Sequence, residues 1–345
     1  MDQRLESHGP GRHSEEDMGG STLRFSPEEI APIAESTGFR GDMVEKVLQV
    51  MHLLQALNSH PYLKGKWALK GGTALNVFIL KMPRLSVDID LNYIGSFDRN
   101  SLLKDRPKIE QAIQAVFSRE GFTTKKVPTE HAGGKWRLSY QSFSGQSSNL
   151  EVDVNFMFRQ PLWDIRHNDA HHLGEYSASN IPVLDIHELF AGKLAALFAR
   201  MQARDLFDCY QMFKLETLDI YRLRLAFVIY GGMNRKDWRS ISTDDLDFEA
   251  EELAKQLIPT LHRQFRRDQN KAAEYGASLM QECKQGLFKV LPFTDVESQF
   301  LDLLLEHGKI DASLLTPDKT LQEHIQCQPL LQWKALNVRH HKGLS

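Results

Sequence analysis

The fold is decided by the stretch WALKGGTALNVFILKMPRLSVDIDL, residues 67–91. It begins with a short apolar run at 67–69, which predicts a strand, and the pair Gly71-Gly72 then predicts a turn. Apolar residues return at helical spacing over 74–80. Over 87–91, apolar and acidic residues alternate strictly. The stretch therefore predicts a unit of strand, glycine turn, helix and strand.

The second strand of this unit carries two acidic residues on one face. Because side chains alternate across a strand, Asp88 and Asp90 share a face and the aliphatic residues occupy the other. A later strand predicted over 150–156 carries Glu151 and Asp153 in the same alternating way. Two metal ions roughly 3.5–4 Å apart need closely set carboxylates, which adjacent strands can supply. We therefore predict a metal site formed by Asp88, Asp90 and Asp153.

The choice of the third acid cannot rest on periodicity. Glu151 lies on the same predicted face as Asp153, and a slip in strand register would exchange the two. An attacking hydroxyl must approach beside a metal-bound carboxylate, so the third acid must lie level with the other two. We favour Asp153, which is central in its strand and lies between Val152 and Val154.

The glycine turn offers a place for a phosphate group. Gly71 and Gly72 let the backbone approach a phosphate closely, and the helix that follows presents unpaired N–H groups. Taken singly, an acidic pair on a strand is more often a solvated face, and a glycine pair is more often a simple turn. Their order along the chain favours a phosphate cradle beside a metal site, which nucleotidyl transfer needs.

The rest of the chain divides into a mixed half and a helical half. Periodicity predicts helices at 27–35, 42–60 and 102–120, and strands at 122–127, 136–142 and 150–156. After a loop at 160–180, only helical patterns follow, at 186–198, 205–213, 218–229, 245–257 and 293–305. We predict an α+β fold with a disordered tail at 1–24, a domain with a mixed β-sheet at 25–181 and a mostly helical domain at 182–345, divided near Pro182.

Composition limits the class of protein. Of 345 residues, 41% are hydrophobic and 25% are charged, as is typical of globular proteins. No apolar run reaches the roughly 18 residues of a membrane span. The three cysteines are widely spaced and odd in number, so they indicate neither a disulfide framework nor a metal clip, and we expect a cytoplasmic location. The net charge of -3 excludes a uniformly basic surface but not a local basic groove.

Four motifs together resemble the AbiEii/AbiGii nucleotidyltransferase toxin family of the DNA-polymerase-β-like superfamily. In chain order they are Lys70-Gly71-Gly72-Thr73-Ala74-Leu75, Arg84-x-Ser86-x-Asp88-x-Asp90-Leu91, ELFAGKLAAL at 188–197 and RDLFD at 204–208. The last two resemble the family's lysine motif and its R-D-x-x-D motif. The resemblance covers roughly 70–208 and implies a nucleotidyltransferase domain at 25–181, with the helical domain completing the nucleotide pocket.

The resemblance also implies roles for individual residues. The catalytic residues would be Asp88, Asp90, Asp153, Lys193 and Asp205, the first three as ligands of Mg²⁺ or Mn²⁺. The NTP would be bound by Lys70, Gly71, Gly72, Thr73, Arg84, Ser86, Lys193, Arg204 and Asp208. The Thr73 hydroxyl would stand where the superfamily usually has a serine at the phosphates, and Lys193 would be a point charge for the triphosphate.

The implied function is a toxin of a type IV toxin–antitoxin system that transfers a nucleoside monophosphate from an NTP to an acceptor hydroxyl. Related toxins extend or block tRNA 3′ ends, so tRNA is the expected acceptor and a separately encoded antitoxin the expected partner. The resemblance also implies a role in phage defence, and it implies no membrane partner. One rival function has a protein side chain or a small molecule such as an aminoglycoside as acceptor. The other is a non-catalytic nucleotide-binding partner module, against which the intact Asp88-x-Asp90 pair argues.

Several candidate residues also have simpler interpretations. Arg84 either contacts a phosphate or pairs with Asp88 or Asp90. Lys193 and Asp208 could form a surface ion pair on adjacent helices. For two further groups of residues, exposure to solvent is a simpler interpretation than a functional role. They are His167, His171 and His172 in the loop and Arg263, Arg266 and Arg267 in a charged stretch.

Overall fold

The computed structural model describes residues 23–127 and 133–343. The tail predicted at 1–24 lies outside the described residues, apart from its last two positions. None of the helices in the described ranges is long and apolar enough to cross a membrane.

A seven-stranded mixed sheet forms the centre of the first half. Its strands are β1 (Trp67–Lys70), β2 (Ile89–Tyr93), β3 (Thr123–Val127), β4 (Gly133–Gln141), β5 (Ser147–Asn155), β6 (Arg166–Asn168) and β7 (Ile181–Val183). They lie in the order β3-β4-β5-β2-β1-β7-β6. The pairs β2–β5 and β1–β7 are parallel and the other neighbours are antiparallel. The sheet therefore places β2, which carries the acidic pattern, at its centre.

Helices flank this sheet and make up the second half. In the first half they are α1 (Pro27–Thr37), α2 (Gly41–Ser59), α3 (Gly71–Thr73), which continues into a π-helical segment (Ala74–Ile79), and α4 (Arg99–Arg119). In the second half they are α5 (Ile186–Arg200), α6 (Ala203–Phe213), α7 (Ile220–Gly232), α8 (Ala250–Glu252) with a π-helical continuation (Leu253–Leu257), α9 (Ala272–Leu287), α10 (Asp295–His307), α11 (Lys319–Gln326) and α12 (Pro329–Lys342). The predicted α+β class is confirmed.

The predicted start of the first helix, at residue 27, is also confirmed. Ser26 caps α1 through a capping box with Glu29, and Pro27 occupies the first turn. The helix ends at Gly38, whose φ of 75° is in the left-handed region. Local side-chain chemistry alone therefore fixes both ends of this helix.

Three details of the sequence prediction were wrong. The strand predicted at 87–91 begins at Ile89, so Asp88 immediately precedes β2 instead of lying inside it. The predicted loop at 160–180 contains β6, and β7, which follows at Ile181–Val183, was not predicted. Helices α9, α11 and α12 were not predicted. Strands of three residues are too short to show a period, and β7 forms because it pairs with β1.

Two hydrophobic cores meet at the glycine turn. One packs α1, α2 and α4 against the sheet and includes Phe117 and Trp136. The other lies within the helical half and includes Phe227. The π-helical segment after α3 contributes Val77 to the first core and Leu75 to the second. The glycine turn at its start is therefore anchored by both halves of the chain.

Candidate active site

Two of the three predicted acids lie side by side on the sheet face that lies away from the first core. Asp90 on β2 is directly opposite Asp153 on the parallel strand β5, and Lys70 on β1 is opposite Asp90 from the other side. Asp88 lies two residues before Asp90, just outside β2. Within residues 23–127 and 133–343, none of these carboxylates has a hydrogen bond or ion pair to a side chain. The nearby cations act on them only through space, Arg204 on Asp88 and Lys70 on Asp153.

The crowding of these acids has an electrostatic consequence. Desolvation, followed by the charge of Asp90, raises the pKa of Asp88 above its ordinary value, although Asp88 lies at an exposed position. The same two causes raise the pKa of half-buried Asp153. Arg204 acts against the first shift and Lys70 against the second. Ionising all of these carboxylates therefore costs free energy unless a cation is bound nearby. This is expected of a site that binds a positively charged ligand.

Glu151 occupies a different environment from Asp153. Its carboxylate pairs with Lys135 Nζ at 2.7 Å and with Arg137 Nη2 at 3.0 Å. These hydrogen bonds lower the pKa of Glu151. Asp153 is level with Asp90, whereas Glu151 is already neutralised by two cations on β4. The geometry therefore favours Asp153 as the third acid.

The glycine turn is packed against the acidic strand. Gly71 has a φ of +76°, and a Cβ atom there would lie 2.3 Å from Asp90 Oδ2. A Cβ on Gly72 would lie 2.7 Å from Ser86 Oγ and 3.0 Å from Arg84 Nη2. A side chain at either position would displace the groups around the turn, so glycine is required for the backbone N–H groups at the start of α3 to lie beside Asp90.

Thr73 has a structural contact that the sequence did not predict. It is buried, and its Oγ1 donates a 2.6 Å hydrogen bond to the backbone carbonyl of Asp88. This bond uses the hydroxyl hydrogen of Thr73 to hold Asp88 against the turn.

A buried charge network joins the two halves next to this turn. Asp208 accepts hydrogen bonds from Arg84 Nε at 2.7 Å, Arg84 Nη2 at 2.6 Å and Asn76 Nδ2 at 3.1 Å. Lys193 Nζ pairs with Asp208 Oδ2 at 2.7 Å and with Asp205 Oδ1 at 3.1 Å. Arg200 makes a further pair with Asp205 at 2.7 Å. The lysine motif and the R-D-x-x-D motif are thus parts of one structure.

Two interpretations from the sequence need correction. Arg84 pairs with Asp208 in the interior, and not with Asp88 or Asp90 across its loop. The pair of Lys193 and Asp208 is buried and not on the surface. Residues 84 and 208 are 124 positions apart, so no local pattern could reveal their contact.

Opposite charges determine the protonation of this network. Burial alone would lower the pKa of Lys193, but Asp208 and then Asp205 more than offset it, so that the pKa is raised. Burial would likewise raise the pKa of Asp208, yet Arg84 and Lys193 bring it far below its ordinary value. All these groups are therefore charged at neutral pH.

A cleft of about 500 Å³ lies between the acidic face of the sheet and helices α5 and α7. At one end its wall contains Lys70, Gly71, Gly72 and Asp90, and Lys193 and Arg200 face it from α5. A volume of this size suits a small ligand such as a nucleotide. The cleft therefore brings the turn, one of the acids and the motif lysine to one cavity.

The sequence analysis missed an aromatic and acidic cluster in the same cleft. Phe158 and Tyr230 stack with ring centroids 5.6 Å apart, and Tyr230 donates a 3.1 Å hydrogen bond to Glu188. Glu188 also accepts from the backbone N–H of Leu162 at 3.0 Å, and burial raises its pKa to about 7. The only sequence signal was an acidic residue at a buried position of a predicted helix, since the partners are far apart in the chain.

The other candidate groups lie away from this cleft. His167 and His172 are exposed and His171 is half-buried. Arg266 donates a hydrogen bond to the carbonyl of Gly38. These observations agree with the simpler interpretation of the histidines as loop residues.

The acids fit a divalent metal whose coordination the substrate completes. In the described part of the chain, no group of three or more His, Cys, Asp or Glu side chains is arranged to enclose a metal by itself. Mg²⁺ usually takes one or two protein carboxylates, together with water and phosphate oxygens, and does not require an all-protein cage. The carboxylates of Asp88, Asp90 and Asp153 form no ion pair within the described residues, so one or two of them would be available to such a metal alongside other ligands.

Comparison with known proteins identifies the family of this chain. The profile of the family described as nucleotidyl transferase AbiEii toxin, type IV toxin–antitoxin system, matches residues 52–282, well over half of the chain. MenT4, a nucleotidyltransferase toxin from Mycobacterium tuberculosis H37Rv, has a similar fold with a TM-score of 0.60 and 16% sequence identity, over 89% of this chain and 99% of the MenT4 chain. No curated protein matches the sequence significantly. The chain belongs to the AbiEii family of nucleotidyltransferase toxins of type IV toxin–antitoxin systems.

Proposed function

We propose that this protein transfers a nucleoside monophosphate from an NTP to an acceptor hydroxyl, with the tRNA 3′ end as acceptor and Mg²⁺ or Mn²⁺ as cofactor. The observation that carries the proposal is the level arrangement of Asp90 and Asp153 on adjacent parallel strands, beside the Gly71 turn. A phosphate group in that turn would lie next to carboxylates that form no ion pair within the described residues. This is the arrangement that phosphoryl chemistry needs.

The acidic residues have separate tasks in this proposal. Asp88 and Asp90 would hold the metal, together with Asp153. When bound, the metal would neutralise charge on the phosphates and lower the pKa of the attacking hydroxyl. Asp153, which is level with Asp90, would accept the proton of that hydroxyl.

The bond changes follow from this placement. The acceptor oxygen forms a bond to the α-phosphorus, and the bond from the α-phosphorus to the bridging oxygen breaks. Pyrophosphate leaves with the electron pair of that bond, and the hydroxyl proton passes to Asp153. Backbone N–H groups at Gly71 and Gly72 bind the phosphates.

Lys193 faces the phosphates from the opposite wall of the cleft. An ammonium group has three donors, and two of those of Lys193 are used by Asp205 and Asp208. We propose that the third is donated to the triphosphate. Arg204, which is half-buried and acts on Asp88, and Lys70, on the cleft wall, would provide further positive charge.

The cellular setting follows from the family. We propose a separately encoded antitoxin as the protein partner, action in the cytoplasm and a role in phage defence. We also propose that the chain divides near Pro182, with the helical half completing the nucleotide pocket through α5 and α7.

The test is incubation of the purified protein with each labelled NTP, Mg²⁺ and total cellular RNA or protein. We expect the label to appear in the tRNA fraction. We expect no labelled RNA when the metal is omitted or when Asp88→Ala replaces the wild type. Asp302→Asn, an exposed acid-to-amide change, is the matched control and should label as the wild type does. Label in the protein fraction would establish the rival acceptor, and no label in any fraction would contradict transfer.

A further inference from the structure

The outward side of strands β3, β4 and β5 (the β3–β5 face) is a polar surface that includes Asp153. Side chains on the inner side of these strands, such as Trp136, Leu138 and Val152, are buried in the first core. Those on the outward side are exposed or half-buried. In the described residues of these strands, Val127 is the only outward one with an aliphatic side chain. The sheet therefore presents a hydrophilic face to solvent next to the proposed acids.

Three cations lie on this face, in the rows nearest to the acids. Lys135 on β4 is directly opposite Asp153 on β5, and Arg137 is opposite Glu151. Lys125 on β3 is opposite Arg137 and is exposed. Both β4 cations pair with Glu151, at 2.7 Å and 3.0 Å, so two positive charges share one carboxylate. Even when Asp153 is counted, the β3–β5 face keeps a net positive charge, in a chain whose net charge is -3.

These cations are close enough to the acids to act on a molecule bound there. The hydrogen bond to Glu151 is the main cause that raises the pKa of Lys135, and the charges of Asp153 and Asp88 add to it. The same lysine opposes the raised pKa of Asp88 and of Asp153. The positive part of the β3–β5 face is thus continuous with the proposed active site.

The position of the glycine turn decides from which side an acceptor must approach. In phosphoryl transfer, the attacking and leaving oxygens lie roughly in line on opposite sides of the phosphorus. The Gly71 turn, which is proposed to bind the phosphates, follows β1 on one side of β2, and Asp153 lies on β5 on the other side. An acceptor hydroxyl that meets Asp153 therefore comes from the β5 side, across the β3–β5 face.

We propose that the β3–β5 face binds the sugar–phosphate backbone of an RNA acceptor next to its 3′ end. The inference rests on the proposed function, since it requires RNA as the acceptor. Lys and Arg side chains that contact phosphates supply most of the sequence-independent affinity for nucleic acid. Neighbouring strands are about 4.8 Å apart, so β3 lies about 10 Å from β5, within the last few nucleotides of an acceptor held at Asp153.

The chemistry of this face favours RNA over a protein as its occupant. Protein interfaces usually have apolar and aromatic residues at their centre and few charged ones there. The centre of the β3–β5 face has Arg137 and Glu151, with the hydroxyl of Ser139 and the amide of Asn149 in the next row. Such groups form hydrogen bonds and ion pairs with phosphate and ribose oxygens.

The test compares two double variants that each remove two positive charges. The first is Lys125→Gln with Arg137→Gln, on the β3–β5 face. The matched control is Lys126→Gln with Arg119→Gln. Lys126 is the next residue along β3 and points to the opposite face, and Arg119 lies on α4, which packs on that face. The side chains of Arg119 and Arg137 are 56% and 57% exposed, and each pairs with one glutamate.

Binding of purified tRNA is measured by fluorescence anisotropy without NTP, at several salt concentrations. We expect the first double variant to bind tRNA about tenfold more weakly than wild type, as for the loss of two exposed ion pairs. The slope of log affinity against log salt should become shallower by about 1.5, because two phosphate contacts are lost. The control should bind tRNA as wild type does. NTP affinity, measured by calorimetry with Mg²⁺, should be unchanged in both double variants, and thermal unfolding should show both to be folded.

The outcomes separate this inference from the proposed function. An equal loss of tRNA affinity in both double variants, or no loss in the first, would overturn the role of the β3–β5 face while leaving transfer to RNA intact. A wild type that labels protein and does not bind tRNA would overturn the proposed acceptor, and the occupant of this face with it.

Discussion

Replacing Asp208 by asparagine tests whether the buried charge network holds the two halves together. In the wild type, Asp208 is fully buried and compensates both Arg84 and Lys193. The amide of an asparagine would place its own N–H donor against the N–H donors of Arg84 and Lys193. It would also remove the negative charge that compensates these two cations. Removing one partner of a buried ion pair costs about 3–5 kcal/mol, which for a cooperative unit of this length lowers Tm by roughly 4–7 °C.

The measurement is thermal unfolding of purified Asp208→Asn by calorimetry, with Asp302→Asn as the matched control. Asp302 has an exposed pair with Arg239, so its substitution should change stability by less than about 1 kcal/mol. The double variant Arg84→Met with Asp208→Leu should recover part of the loss, since it removes a buried cation together with its partner. A Tm of Asp208→Asn equal to that of wild type would refute the structural role of the network.

The pH dependence of the same effect has a definite sign. The pKa of Asp208 is lowered in the folded protein from an ordinary value of 3.8, because Arg84 and Lys193 outweigh burial. Its contribution to stability is therefore complete above about pH 4 and is lost as the pH falls below that value. The difference in stability between wild type and Asp208→Asn should accordingly shrink in acid, and a constant difference from pH 6 to pH 3 would contradict this origin.

Four further predictions concern the site itself. Asp90→Ala should abolish transfer without lowering Tm, because it removes a metal ligand and relieves acid crowding; turnover in the purified variant would exclude that role. Asp153→Asn should reduce turnover by at least 100-fold whereas Glu151→Gln should leave it within a few-fold, and the reverse order in the labelling assay would exchange the two. Gly71→Ala should reduce turnover strongly, since its Cβ would lie 2.3 Å from Asp90 Oδ2 at a φ of +76°, and wild-type kinetics would show that the turn does not need glycine. Lys193→Ala should weaken NTP use strongly and Lys193→Arg should restore it only in part, which NTP affinity and turnover of both variants would measure.

The sequence predicted the local elements of the site well because each depends on residues close together in the chain. The alternation around Asp90 requires a strand, and the glycine pair before an apolar helical pattern requires a turn. The start of β2 was misplaced because periodicity does not show where pairing begins, and this depends on the neighbouring strands. The short strands β6 and β7 were missed for the same reason.

By itself, the sequence indicated which side chains are candidates for the chemistry and on which kind of element each lies, because strand and helix periods are properties of neighbouring residues. Only the tertiary structure decided which of them meet. The parallel register of β2 and β5 puts Asp153 and not Glu151 opposite Asp90. Asp208 on α6 pairs with Arg84, which is 124 positions away. Contacts between distant residues depend on how whole elements pack, and a pattern within one element contains no information about its neighbours.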